Sequence, residues 1–320
     1  MSRTKNSFIA AGALIGLGAT IFGVTFLAAG CDFGKFSTVK YSTQTHEVKE
    51  SFQSIAVEVS TSDVFFAVAE DNQTKVVCYE EEKIPHRVSV ADGVLTVTAE
   101  DTRAWYDYAV IGTDNASVTV YLPQATYEAL TVVGSTGDVG IAKELAFEGM
   151  NVDLSTGDVR VSAAVAGLAK IEVSTGDITV EDTSVGSLDL TVSTGEIILS
   201  SVASAGEVKL ASRTGDTSLK NVTCAGLTSA GTTGDIELKN VLISGKMSIE
   251  RSSGDVEFER CDAAEIYVKT STGEVEGSLL TGKTFYGESS TGKRRLPQTT
   301  GGKCEIYTST GDVEITIVNG

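Results

Sequence analysis

The sequence predicts an all-β protein, a single-stranded β-solenoid (β-helix) with rungs of about 19–20 residues, preceded by one N-terminal transmembrane helix. Three observations lead to this prediction. The chain is 41% hydrophobic and holds 33 Gly but only 3 Pro, and its many Val and Thr favour strands because a branched Cβ packs well on a pleated surface. A Ser-Thr-Gly-Asp turn recurs along the chain, and an uncharged apolar run lies near the N-terminus.

The apolar run covers residues 8–30 and follows Arg3 and Lys5. As a helix it would extend about 34 Å at ~1.5 Å per residue, which is enough for a bilayer core of about 30 Å. The two cations predict that residues 1–7 form a short cytoplasmic basic segment, because positive flanks stay inside. The chain is therefore expected in the cell membrane as a single-pass protein, with its C-terminal domain outside the cytoplasm.

A lipoprotein signal is the second interpretation of the same run. Residues 27–31 (LAAGC) resemble a lipobox, which makes Cys31 the candidate lipidation residue and the protein lipid-anchored. Ala28 stands where a lipobox prefers a larger aliphatic residue, and the run exceeds a usual signal core of about 7–15 residues. The sequence favours an uncleaved anchor, with residues 31–49 as a linker.

The recurring turn defines the rung. Its glycines are spaced 19 or 20 residues apart from Gly137 to Gly311, and alternating strands flank each one. Around Gly176, the alternation predicts that Ile171 and Val173 share one buried face. One rung cannot fold alone, because four buried aliphatic side chains contribute about 6–12 kcal/mol and ordering 19 residues costs roughly 20–40 kcal/mol. Each rung is therefore expected to stack on the next rung in the chain.

The turn itself predicts a structural role. Glycine takes positive φ without Cβ strain, and the acidic side chain can bond nearby backbone groups. Neighbouring carboxylates ~5 Å apart repel by about 0.8 kcal/mol in water, which capping worth about 1 kcal/mol offsets. Calcium needs six to eight oxygens, and one carboxylate per rung supplies too few. The predicted structural turn residues are Gly137, Asp138, Gly157, Asp158, Gly176, Asp177, Gly195, Glu196, Gly215, Asp216, Gly234, Asp235, Gly254, Asp255, Gly273, Glu274, Gly311 and Asp312.

The region before the regular repeats differs. Residues 50–134 are predicted to form wide N-terminal rungs and a cap, and residues 135–320 to form the regular solenoid. Residues 60–63 (STSD) look like a degenerate first corner, and Asp92-Gly93 is typical of a hairpin turn. The only Trp, Trp105, lies in a longer insertion. A cap is expected because an open solenoid end is an aggregation-prone edge.

Composition and motifs argue against several functions. A net charge of −18 does not suit nucleic acid, whose phosphates require Lys and Arg. The chain contains no GxSxG or HExxH pattern. The cysteines after residue 31 form no CxxC and have no nearby His in sequence, so they are expected to be small buried hydrophobes; they are Cys78, Cys224, Cys261 and Cys304. We therefore expect no enzyme, catalytic residue, metal or cofactor.

The repeated (S/T)(S/T)G(D/E) corner, the N-terminal membrane segment and the stretch TTGGKCEIYTSTGDVEI over residues 299–315 resemble the bacterial putative-adhesin domain family of unknown function. The resemblance covers roughly residues 50–318. It implies a single-stranded β-helix in the cell envelope and offers no catalytic residues. Residues 293–295 (KRR) depart from the acidic corner.

Adhesin-like binding is the function that these observations favour. The chain is expected to be a non-enzymatic, membrane-anchored extracytoplasmic scaffold that meets an envelope protein or a glycan. One alternative is an accessory or sensor protein of a cell-envelope stress system. Another is a polysaccharide-active β-helix enzyme, which the nearly uniform rungs after residue 135 disfavour because they leave no room for long loops. The binding surface is expected on outward strand faces and around Trp105.

Overall fold

The computed structural model describes residues 39–104 and 115–318. Over these residues, strands form one continuous sheet that coils as stacked parallel rungs, so the predicted all-β solenoid is confirmed. The predicted membrane segment, residues 8–30, lies outside the described residues, as do Cys31 and Trp105. Among the residues described, no helix is long and apolar enough to cross a membrane.

The N-terminal part mixes parallel and antiparallel pairing. Strand β3 pairs antiparallel with β1 and β6, and β4 pairs antiparallel with β5. Asp92 and Gly93 both have positive φ at the β4–β5 turn, as the predicted hairpin requires. Strand β1 occupies part of the expected linker; its sequence YSTQTHE has no apolar alternation to reveal it. The strands are β1 (Tyr41–Glu47), β2 (Ser54–Val68), β3 (Lys75–Glu81), β4 (His86–Ala91), β5 (Val94–Ala99) and β6 (Ala116–Leu122).

Regular parallel rungs follow. Val173 pairs with Leu154 on one side and Val192 on the other, so that equivalent positions stack one repeat apart. The strands are β7 (Thr126–Thr136), β8 (Val139–Ile141), β9 (Ala146–Thr156), β10 (Val159–Val161), β11 (Ala164–Thr175), β12 (Ile178–Thr194), β13 (Ile197–Ser204), β14 (Glu207–Thr214), β15 (Thr217–Cys224), β16 (Gly226–Thr233), β17 (Ile236–Ser253), β18 (Val256–Thr272), β19 (Val275–Leu279), β20 (Lys283–Ser289), β21 (Arg294–Arg295), β22 (Gly302–Thr310) and β23 (Val313–Ile317).

One continuous core fills the coil. Ile171 and Val173 are buried, as the alternation predicts. The four cysteines within the described residues are buried and free. Burial raises the pKa of Cys78 and Cys304 to about 12, and burial raises the pKa of Cys224 and Cys261 to about 11. At neutral pH all four are thiols that pack as small apolar groups.

The rungs contain a bend that the sequence did not predict. A column of non-glycine residues spaced 19 or 20 apart adopts φ between 51° and 56°. Asn and Asp tolerate this left-handed conformation better than other side chains do, and Asn240 Nδ2 also donates to Asn221 Oδ1 at 3.0 Å. This bend is separate from the Ser-Thr-Gly-Asp corner. It is also separate from the second corner of each rung, about ten residues further along, where Gly167 and Gly186 stack. Its residues are Asp182, Ser201, Asn221, Asn240 and Arg260.

The stacking order departs from the chain order at both ends, so the prediction of purely sequential stacking is wrong there. Strand β22 lies between β18 and β20, and β23 lies between β19 and β21. Strand β2 likewise lies between β5 and β6 on one side and β7 and β8 on the other. The outermost C-terminal rung is therefore β20–β21, which carries the basic residues 293–295.

Candidate functional site

The predicted corner residues stack as one column along the rod. The corner glycines adopt φ between 127° and 155°, a region that L side chains rarely adopt. A Cβ built on Gly176 would lie 2.1 Å from the carbonyl oxygen of Gly157 in the preceding rung. Glycine is thus required here both by its own conformation and by the close approach of the next backbone.

The aspartate of a corner accepts a hydrogen bond from a backbone amide of the adjacent rung. The amide of Asp177 donates to Asp158 Oδ1 at 2.9 Å, and the amide of Glu196 donates to Asp177 Oδ1 at 2.8 Å. In the described rungs every acceptor of this kind is an aspartate, so the ladder is interrupted where Glu replaces it. The other acceptors are Asp63, Asp138, Asp216, Asp235, Asp255 and Asp312.

This ladder leads to a prediction for Asp177. Asp177→Ala removes the acceptor of the Glu196 amide and is expected to lower the free energy of unfolding by about 1–2 kcal/mol. Asp177→Asn keeps a side-chain oxygen in place and relieves repulsion with neighbouring carboxylates, so it is expected to stay within about 0.5 kcal/mol of wild type. Urea unfolding at low salt measures both; equal losses in the two variants would contradict a capping role.

The corner column does not bring three potential metal ligands together. Within residues 39–104 and 115–318, one group of His, Cys, Asp or Glu side chains comes close enough, namely Cys78, Glu80 and His86 in the N-terminal cap. All three are buried. Cys78 and His86 lie on different strands, so their spacing in the sequence does not predict that they meet. The sequence signal for this site was the scarcity of histidine, since His86 is one of only 2.

A groove of about 600 Å³ follows the second corner of the rungs near the C-terminal end. Its wall is made mainly of small and aliphatic residues, including Ala225, Ile243 and Ala263. Lys283 lies at its edge with Nζ 2.6 Å from Asp262 Oδ1 and 2.7 Å from Thr281 Oγ1. The groove therefore offers an apolar floor beside one buried ion pair, the composition typical of ligand sites.

Three tyrosines lie close together beside this groove, where Tyr286 is three residues after Lys283 on β20. Tyr267 on β18 pairs with Glu305 on β22, and Glu305 pairs with Tyr286 on β20. Tyr307 lies with its ring centroid 6.1 Å from that of Tyr267. Lys246 Nζ lies 5.5 Å from the Tyr267 centroid. We call these five residues the tyrosine face.

The tyrosine face is polar as well as aromatic. Tyr307 donates its hydroxyl to Glu305 Oε1 at 3.2 Å. A hydrogen bond from Lys303 lowers the pKa of the Glu305 carboxyl, which stays ionised at neutral pH. Tyr286 is 53% exposed, and its ring is open to solvent. The sequence alone could not find this face, because β22 lies between β18 and β20 only through the altered stacking order.

Comparisons with known proteins agree with this architecture. Residues 52–316 match the Toastrack DUF4097 family. None of the curated proteins compared with the chain matches it significantly.

Several solved structures resemble this chain at low sequence identity, and one of them has a TM-score above 0.5. The crystal structure of a putative adhesin from Parabacteroides merdae is 15% identical with a TM-score of 0.51, over 88% of this chain and 98% of that one. A putative adhesin from Parabacteroides distasonis is 13% identical, with a TM-score of 0.48 over 88% and 98% of the two chains. A putative lipid binding protein from the same species is 14% identical, with a TM-score of 0.45 over 86% and 97%. With a family match over nearly the whole solenoid, the chain belongs to the Toastrack DUF4097 family.

Proposed function

We propose that this protein is a membrane-tethered, extracytoplasmic scaffold that binds a glycan on the tyrosine face and in the adjoining groove. The observation that carries the proposal is the convergence of Tyr267, Tyr286 and Tyr307 from three separate strands onto one outer surface. Tyrosine rings offer an apolar face and a hydrogen-bonding hydroxyl together, which suits the C–H faces and hydroxyl groups of sugar rings.

The charges near the face favour a neutral or cationic glycan. The chain carries a net charge of −18, which repels polyanions. Lys246 and Lys303 are themselves close to Glu305 or to tyrosine rings, so the face is locally mixed in sign. We attribute binding, not catalysis, to this surface.

The proposed membrane anchor defines which end of the solenoid would face the bilayer. A membrane segment at residues 8–30 would hold the N-terminal cap near the bilayer, because β1 begins at Tyr41. About ten rung spacings of ~4.8 Å separate the cap from β20. The tyrosine face would therefore lie roughly 50 Å from the membrane side, where it can meet envelope or extracellular material.

Glycan binding can be tested with two tyrosine substitutions. We expect the purified protein to bind a subset of a glycan array, and Tyr267→Ala with Tyr286→Ala to weaken that binding at least about tenfold, since each aromatic contact contributes about 1 kcal/mol. Tyr121→Ala is the matched control, because Lys75 Nζ lies 5.0 Å over that ring at the opposite end of the rod. An array with no bound glycan, or equal losses in all variants, would contradict the proposal.

A further inference from the structure

The N-terminal cap brings together a serine, a histidine and a glutamate that the sequence keeps apart. Ser62 lies in β2, Glu80 in β3 and His86 at the start of β4. Ser62 Oγ is 3.3 Å from His86 Nε2, and His86 Nδ1 is 2.8 Å from Glu80 Oε2. All three residues are at most 6% exposed. The order nucleophile, base and orienting carboxylate is the arrangement that activates a hydroxyl group.

The hydrogen bonds fix the histidine in the orientation that a base needs. The backbone amide of His86 also donates to Glu80 Oε2, at 2.6 Å, so one carboxylate oxygen receives both donors of this residue. Because a carboxylate only accepts, neutral His86 carries its proton on Nδ1. The lone pair on Nε2 then faces the Ser62 hydroxyl.

A small pocket gives access to this pair. It has a volume of about 120 Å³ and its lining includes Ser62, His86, Tyr41, Ile84 and Asn115. That volume equals about four water molecules at ~30 Å³ each, so it admits a short acyl group and not a long chain. Asn115 also lines this pocket, and a side-chain amide N–H is a group that can stabilise a developing oxyanion.

We infer that the cap holds a second site, distinct from the tyrosine face, in which Ser62 and His86 hydrolyse esters of short acyl groups and Glu80 positions His86. Ser62 Oγ forms a bond to the ester carbonyl carbon while its proton passes to His86 Nε2. The ester C–O bond then breaks, and the departing alcohol takes that proton. Water next attacks the acyl carbon and gives a proton to His86 Nε2. The bond between the acyl carbon and Ser62 Oγ then breaks, Oγ takes that proton, and a carboxylic acid leaves.

The expectation of a non-enzymatic chain rests on missing sequence motifs and on the uniform rungs after residue 135. Neither argument covers side chains that meet only in the folded cap. A zinc site at Cys78, Glu80 and His86 is the competing interpretation. It is less favoured because Glu80 and His86 already form a hydrogen bond with each other. In addition, burial together with the Glu80 charge raises the pKa of Cys78 to about 12. A metal would have to displace both the proton and the hydrogen bond.

The test uses the full chain in detergent with 4-nitrophenyl acetate, 4-nitrophenyl octanoate and a fluorophosphonate probe. We expect turnover of the acetate, at least about tenfold slower turnover of the octanoate, and covalent labelling of Ser62 located by mass spectrometry. Ser62→Ala should abolish labelling, and Ser60→Ala, an exposed serine on the same strand, should leave it unchanged. Glu80→Gln should lower kcat about 10²-fold or more with KM unchanged.

Further outcomes distinguish the arrangement of Ser62, His86 and Glu80, which we call the relay, from its alternatives. Cys78→Ser should leave labelling intact, whereas stoichiometric zinc that is lost in Cys78→Ser would overturn the relay in favour of a metal site. No labelling of Ser62 in folded wild-type protein, or ester turnover that persists in Ser62→Ala, would also overturn it. Thermal unfolding by circular dichroism verifies that each variant is folded. Should Glu80→Gln not fold, the wild-type labelling site and the Ser60 and Ser62 variants still decide. Loss of glycan binding in the tyrosine variants is independent of all these results.

Discussion

Gly195→Ala is expected to destabilise the solenoid by about 3–5 kcal/mol. Gly195 has φ of +139°, and its added Cβ would lie 2.0 Å from the carbonyl oxygen of Gly176. Strain at such φ costs about 1–3 kcal/mol, and relief of the clash requires the corner to separate from the rung below. Because every rung is stabilised by its neighbours, the damage spreads to both interfaces.

Gly149→Ala provides the matched control for this experiment. A Cβ at Gly149 would find its nearest neighbour, the Glu128 carbonyl oxygen, at an ordinary 3.9 Å, and this glycine is not among those with positive φ. We expect its effect to be within about 1 kcal/mol of wild type, with a small gain because the unfolded chain loses freedom. Urea unfolding measures both variants. Similar midpoints would show that the corner accommodates a side chain and would contradict the argument.

The second large effect concerns Arg251, whose charged side chain points into the core. Arg251 is 5% exposed, and its Nη2 donates to Thr217 Oγ1 and Ser229 Oγ at 3.0 and 3.1 Å. Burial lowers the pKa of its guanidinium, against the opposing effect of Asp216 and Asp235. Gly231 lies directly opposite on β16, and a Cβ there would be 2.0 Å from Arg251 Nη1.

Gly231→Ala is therefore expected to cost about 2–4 kcal/mol, because the guanidinium must move and lose both hydroxyl partners. In an Arg251→Met background the same substitution should cost less than about 1 kcal/mol, since the obstructing group is gone. Arg251→Met alone is expected to be close to neutral, as replacing buried charge by a hydrophobe often is. A double-mutant cycle in urea measures the coupling; additive effects would show that Gly231 is needed for another reason.

The corner glycines show why so much of this fold follows from sequence. Only glycine meets the φ and spacing demands of the corner, so its recurrence every 19 or 20 residues reveals the rung directly. The left-handed bend was not predicted, although Asn221 and Asn240 recur at the same interval in a conformation that Asn tolerates. The column also contains residues such as Arg260, whose type does not indicate positive φ, so the repeat is hard to recognise in the sequence.

The stacking order could not be read in the same way. The corners are chemically alike, so Val275 can pair with Val313 as readily as with the next rung in the chain. The tyrosine face depends on that choice, and the Ser62–His86 pair depends on antiparallel strands whose register no repeat encodes. Local chemistry therefore predicts the rung, while the sites depend on long-range pairing.

The insertion of β22–β23 between two earlier rungs has a consequence for how the rod comes apart. A helical stack usually frays from its free chain end, but here the final described strands are clasped on both sides. The outermost rung, β20–β21, can separate from its one neighbouring rung. It stays close by, because the chain connects it to β19 before it and to β22 after it. Each opening of this rung is thus an internal loop that β19 and β22 hold at its two ends.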